Sequence, residues 1–186
     1  MKPFLILSLQ LFIFFFLIAT FGETVYGVAR MEIYSSAFKD KEDIPQIYTC
    51  EGSNVSPPLT WKNVPPQTKS LVLIVDDPDA PDPAAPKRTW VHWVIYNLPP
   101  SPSSLTQGLR SLPASTKSGL NDWKREEYRG PCPPIGSHRY FFKLYALDTF
   151  LQGLVHPTKS DIEKFMKSHV LAHAELIGIY KKRGQK

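Results

Sequence analysis

Three stretches of the chain set ionisable side chains in stiff backbone: Asp77-Pro78-Asp79-Ala80-Pro81, Trp90-Val91-His92-Trp93, and Gly130-Pro131-Cys132-Pro133-Pro134-Ile135-Gly136-Ser137-His138-Arg139-Tyr140. The first follows a buried-looking apolar run, Leu71 to Val75, which ends in Asp76 and Asp77. Strand alternation puts Val91, Trp93 and Ile95 on one face and Trp90, His92, Val94 and Tyr96 on the other, and pairs His138 with Tyr140. If these strands are neighbours, Asp77, His92 and His138 converge. A carboxylate beside an imidazole favours the charged ring. Two imidazoles, a tyrosine hydroxyl and backbone N–H groups from a Gly/Pro loop then suit a small anion such as phosphate. Its affinity should rise as pH falls through about 6–7, where imidazoles charge. The prolines hold the loops in place before any ligand arrives, which limits the ordering cost of binding. A lone histidine is more often a hydrogen-bonded structural residue; the conjunction of motifs favours a site.

Other chemistries find less support. There is no G-x-S-x-G elbow, H-E-x-x-H, P-loop or dinucleotide fingerprint. His169 and His173 are four apart, a metal-binding spacing on a helix, but they fall at a helix-to-strand junction. Asp77, His92 and His138 could ligate a metal or serve acid–base hydrolysis. The one conceivable nucleophile, Cys132, lies between two prolines. No catalytic residue, metal ligand or cofactor is therefore expected.

The elements that must position these groups are mostly strands. Met31 to Phe38, Ile44 to Thr49, Leu71 to Val75, Trp90 to Asn97, Tyr140 to Asp148 and Val170 to Tyr180 read as strands. Ser160-Asp161-Ile162-Glu163 has the form of a capping box, predicting a short helix to about Ser168. Asp76 to Lys87 is a proline-stiffened loop, and Leu98 to Trp123 a long polar one of the kind that is often functional. Asn54-Val55-Ser56 matches a glycosylation sequon, weakened by Pro57.

The composition agrees. With 42% hydrophobic and 21% charged residues the chain is globular, and its 18 prolines argue against a helix bundle. The formal charge of +5 suits anionic ligands or surfaces without pointing to nucleic acid, because the basic residues are dispersed. Lys2 followed by an apolar run from Phe4 to Phe21 describes a secretory signal at 1–22, with cleavage as late as 29, or an uncleaved membrane anchor. A linker at 23–30, one domain at 31–181 and a basic tail at 182–186 complete the division. The domain should then lie outside the cytosol, periplasmic or secreted, where Cys50 and Cys132 could form a disulfide.

The three stretches, extended by Tyr128-Arg129, resemble the phosphatidylethanolamine-binding protein family, also called Raf kinase inhibitor-like proteins. Tyr48-Thr49-Cys50-Glu51-Gly52, Ser56-Pro57-Pro58-Leu59 and Gly119-Leu120-Asn121-Asp122 are similar to its short prokaryotic branch. The resemblance runs from about Met31 to Tyr180. It implies a mainly β, sandwich-like fold with large antiparallel sheets and a few peripheral helices. It also implies a rigid pocket for phosphate-like anions or phospholipid headgroups, at Asp77, Trp90, His92, Pro133, Pro134, His138 and Tyr140. Asp79, Pro81, Gly130 and Gly136 would shape its loops, with Ala80–Pro81 cis. Tyr180 is left unassigned. The function this implies is non-enzymatic binding, with contact to a membrane surface open. An inhibitor or scaffold acting on a protein partner such as a kinase or protease is the alternative, and a hydrolase comes third.

Overall fold

The computed structural model describes residues 30–184; the signal region and most of the linker lie outside them. Six strands form the large sheet, in the order β2 (Glu42–Asp43), β9 (Val170–Lys181), β8 (Ser137–Leu147), β4 (Ser70–Asp77), β5 (Trp90–Leu98) and β7 (Lys117–Ser118). A smaller sheet joins β1 (Glu32–Tyr34), β3 (Leu59–Lys62) and β6 (Ser104–Leu105). Every pairing is antiparallel except the short β2–β9 contact. The fold is mainly β, as the sequence implied.

Strand β4 is central and buried along its whole length, as its unbroken apolar run requires. Its alternate residues feed two cores. Leu71, Leu73 and Val75 join Trp93, Ile95, Phe142 and Leu144 beneath the small sheet. Val72 and Ile74 join Val94, Tyr96, Ile162 and Met166 on the opposite face, under helix α1 (Lys159–Met166).

Four expectations need correction. The segment after Ile44 is a 3-10 turn at Gln46–Tyr48, where Pro45 has already removed a ladder donor. The opening strand is only Glu32–Tyr34. Helix α1 is capped by Thr158 with Asp161, two residues earlier than Ser160 with Glu163, and both halves of that capping box are made. The fourth is in β5. Val75 pairs with Trp93 but Asp76 pairs with Val91, so His92 is an extra residue, a β-bulge. Val91 therefore packs with Val94 and Tyr96, not with Trp93 and Ile95. The bulge leaves Trp90 opposite Asp77, on the face of β4 that carries Val75.

Candidate functional site

The site forms where β4 ends and β8 begins. There, Asp77, Trp90, His92, His138 and Tyr140 line one cavity of about 260 Å³. Pro133, Pro134 and Pro81 line it as well. All seven residues assigned to the pocket from the resemblance are thus brought together. Ala80, Cys132 and Trp123 complete the wall. Asp79, Gly130 and Gly136 stand outside the lining and act on the loops that form it. Tyr180 pairs with His138 across β9 and β8, but its hydroxyl goes to the Glu51 carboxylate and it is not part of the lining.

Each wall is fixed by a different device. The Asp77–Lys87 loop starts with the Asp79 N–H donating to Asp77 Oδ1 at 2.8 Å. It contains the cis Ala80–Pro81 bond. Arg139 grips Asp79 with Nε at 2.9 Å and a terminal guanidinium nitrogen at 2.6 Å, tying the loop to β8. Hydrogen bonding from Arg139 holds the Asp79 carboxyl below the usual carboxylate range. Gly136, with φ of 70°, makes the turn that admits β8.

The Gly130–Pro134 loop is clamped against the segment 48–54. Cys50 and Cys132 form the disulfide, and the Cys50 N–H donates to the Pro131 carbonyl at 3.0 Å. The Gly130 N–H donates to Asn54 Oδ1 at 2.7 Å. A Cβ on Gly130 would stand 2.0 Å from the Tyr48 carbonyl oxygen, so only glycine fits. Asn54, the sequon residue, is committed to this contact.

Trp123 is carried by a tight turn that the polar look of its loop conceals. Buried Asn121 accepts from the Trp123 and Arg125 N–H groups, both at 3.0 Å, and donates to the Glu127 carbonyl at 2.9 Å. Asp122 accepts from the Val91 N–H at 2.9 Å and pairs with Arg88 at 3.1 Å. Trp123 thereby stands edge-on to Trp90 and His92, at centroid distances of 5.2 and 5.1 Å. Arg88 caps the Trp90 ring at 4.3 Å.

The hydrogen-bond ledger of the cavity differs from the sequence expectation. His138 Nδ1 meets Asp77 Oδ2 at 2.7 Å and Nε2 meets the Ile135 carbonyl at 3.0 Å. Both ring nitrogens are engaged, and neither is left for a ligand. His92 Nδ1 donates to the Arg129 carbonyl at 2.6 Å. Burial pushes the His92 pKa down, outweighing that carbonyl and the Asp77 charge, the opposite of the direction the sequence suggested. The lining prolines have no N–H, and that of Gly130 is spent on Asn54. Two buried side-chain donors in the lining lack a partner: Trp90 Nε1, and the Tyr140 hydroxyl, which meets neither nearby Asp77 nor the Cys132 backbone in good geometry. Burial raises the Tyr140 pKa far above the ordinary phenol value, so it stays a donor. Cys132 is oxidised and offers no thiol. Among the described residues no cluster of three or more metal-ligating side chains occurs, and no helix is long and apolar enough to cross a membrane.

The comparisons agree with this architecture. The family model for phosphatidylethanolamine-binding protein matches residues 34–181. A UPF0098 protein of Methanothermobacter thermautotrophicus is 48% identical over 155 residues, covering 82% of this chain and 99% of that relative. The crystal structure of a phosphatidylethanolamine-binding protein homologue from Chlamydia trachomatis superposes with a TM-score of 0.76 at 42% identity, over 82% of this chain and 98% of that one. The E. coli protein YbcL, described as a member of the mammalian family, gives 0.75 at 30% identity, over 83% of this chain and 100% of that one. With its matched residues spanning both sheets and every loop of the cavity, the chain belongs to the phosphatidylethanolamine-binding protein family.

Proposed function

We propose that the protein is a non-enzymatic binder of phosphate-bearing small molecules or headgroups, and that the cavity bounded by Asp77, His92 and Tyr140 receives the phosphate. The observation that carries this reading is the pair of buried, uncommitted donors, Trp90 Nε1 and the Tyr140 hydroxyl, in the wall of a preformed cavity. Buried donors without acceptors are costly, and an oxyanion would satisfy them. Both Asp77 oxygens are already engaged, one by the Asp79 N–H and the other by His138 Nδ1. Exposed Arg88 and Arg139 would raise the anion concentration outside the cavity. The absence of a free nucleophile in the cavity wall favours binding over hydrolysis. The Cys50–Cys132 bridge supports a place outside the cytosol.

Calorimetric titration with phosphate and phosphoethanolamine tests the reading. Trp90→Phe keeps the ring and removes one donor, so affinity should fall about tenfold, the usual weight of a hydrogen bond to a charged group. Unchanged affinity in that variant, or no binding by the intact protein, would overturn the assignment. Binding that is lost while a protein partner is still inhibited by the variant would separate the two activities.

A further inference from the structure

We infer that the protein has a second ligand site, a cavity beside Trp93 that takes a small zwitterion with an apolar body, of the chemistry of a free apolar α-amino acid. The site shares no lining residue with the cavity at the end of β4 and does not depend on the phosphate-binding reading.

This cavity measures about 310 Å³, within the size range of small-molecule sites. It opens on the small-sheet face of β5, where the segments 54–56, 108–112 and 126–128 meet. Trp93, Tyr128, Leu109 and Leu112 form its apolar walls. Trp93 is buried, and its ring stands at 83° to that of Tyr128 with the centroids 5.7 Å apart. The Tyr128 hydroxyl donates to the Tyr48 carbonyl at 3.0 Å, so this aromatic corner is fixed before a ligand arrives.

The polar groups of the lining divide by sign. The segments 54–56 and 108–112 bring donors. Arg110 is exposed and makes no hydrogen bond or ion pair with another described residue. The Asn54 oxygen already accepts from the Gly130 N–H, so that amide contributes its N–H groups. Buried Ser56 accepts from the Leu109 N–H at 3.3 Å and keeps its own proton to give. The segment 126–128 brings the carboxylates of Glu126 and Glu127. Their partners, His156 and Arg129, stand outside the lining, and such solvent-exposed pairs open at little cost. A guanidinium and two carboxylates thus line one cavity without meeting. A simple anion would leave the glutamates unanswered, and a simple cation would face Arg110. A ligand with both charges on an apolar body satisfies all of them. Its carboxylate accepts from Arg110, Asn54 and Ser56, its ammonium donates to Glu126 and Glu127, and its side chain packs on Leu109 and Leu112. The aromatic corner adds cation–π attraction for the ammonium.

The test compares leucine, leucinamide and N-acetylleucine by calorimetry on the purified protein, at matched ionic strength and neutral pH. Leucinamide keeps the ammonium and lacks the carboxylate, like the N-terminus of a peptide. N-acetylleucine keeps the carboxylate alone, like a C-terminus. The expected result is saturable leucine binding, at least about tenfold tighter than either control, the weight of one hydrogen bond to a charged group. Arg110→Gln should weaken leucine about tenfold and leave leucinamide unchanged. The double variant Glu126→Gln, Glu127→Gln should weaken leucine by at least as much and spare N-acetylleucine. All of these side chains are exposed, so the variants should fold. Either control as tight as leucine would overturn the zwitterion assignment and give the cavity to a peptide terminus. No saturable leucine binding would overturn the second site outright and leave the phosphate reading untouched. Trp90→Phe alters only the phosphate cavity and should not change leucine affinity. A loss in that variant would place leucine in the phosphate cavity and remove the second site.

Discussion

Asp76 and Asp77 are neighbours in β4 and end on opposite faces of the sheet. Both are buried, yet they are partnered in opposite ways. Asp76 meets two ammonium groups, Lys143 from β8 at 2.8 Å and Lys159 from α1 at 2.6 Å. These long side chains fold over the carboxylate and leave no space beside it. Asp77 is offset by a single short ring, His138, and by a backbone N–H. A rigid ring engages the carboxylate without filling the volume in front of it. The same residue type thus closes one face of the sheet and holds open a cavity on the other. A cavity in a small domain needs counter-charges that are stiff, and walls anchored from outside.

The sharpest way to break that comparison is to remove an anchor. Cys50 and Cys132 close 82 residues of chain, so a Cys50→Ser, Cys132→Ser variant should lose roughly 4–5 kcal/mol in denaturant unfolding. Because Cys132 lines the cavity, phosphate affinity should fall with it. Undiminished affinity in a destabilised variant would show that the wall does not depend on its tie. The next effect belongs to the closed face. Asp76→Asn leaves Lys143 and Lys159 sharing an amide, and unfolding should cost about 3 kcal/mol less. The value sits at the low end for a broken buried pair because both lysines reach solvent. Phosphate binding should not change. A variant that stays stable but binds weakly would mean the two faces are coupled through β4.

How much of this was legible in the sequence depends on the kind of contact involved. The four long strands follow from apolar runs and alternation. The convergence of Asp77, His92 and His138 follows from three motifs in which prolines and ionisable groups cluster, and the rest of the pocket from the family resemblance those motifs carry. The bulge at His92 was hidden because alternation assumes one residue per step, and nothing in Trp90-Val91-His92-Trp93 marks the extra residue. Trp123 was hidden for a different reason. Its loop is polar and scattered with Gly, Pro and Ser, and looks solvated. The signal was Asn121-Asp122 directly before a tryptophan, two side chains suited to capturing backbone N–H groups in a turn. The commitments of His138 depend on the Ile135 carbonyl three residues away, a contact set by the turn at Gly136 and by no side-chain pattern.

The smallest expected effect is also the one that most directly separates the two faces. His92 is buried, and its pKa lies below the usual histidine value because burial outweighs the nearby acceptors. In the unfolded chain the same ring titrates near 6.5. Between that value and the lower native one, the unfolded state binds a proton that the native state refuses. The contribution of His92 is therefore fully present above about pH 6.5 and drains away as pH falls below it, by at most about 1.4 kcal/mol per unit. Asp79 also has a lowered pKa, but its contribution is lost only below the ordinary carboxylate range, so the two windows do not overlap. Denaturant midpoints measured from about pH 7.5 to 5, with His92→Gln subtracted from the unmodified protein, isolate this slope from the other histidines. Stability falling with pH in the difference would confirm a neutral His92 ring in the native cavity wall. Stability rising as pH falls would mean that His92 is charged in the native state, a cation held within the open face as Lys143 and Lys159 are held on the closed one.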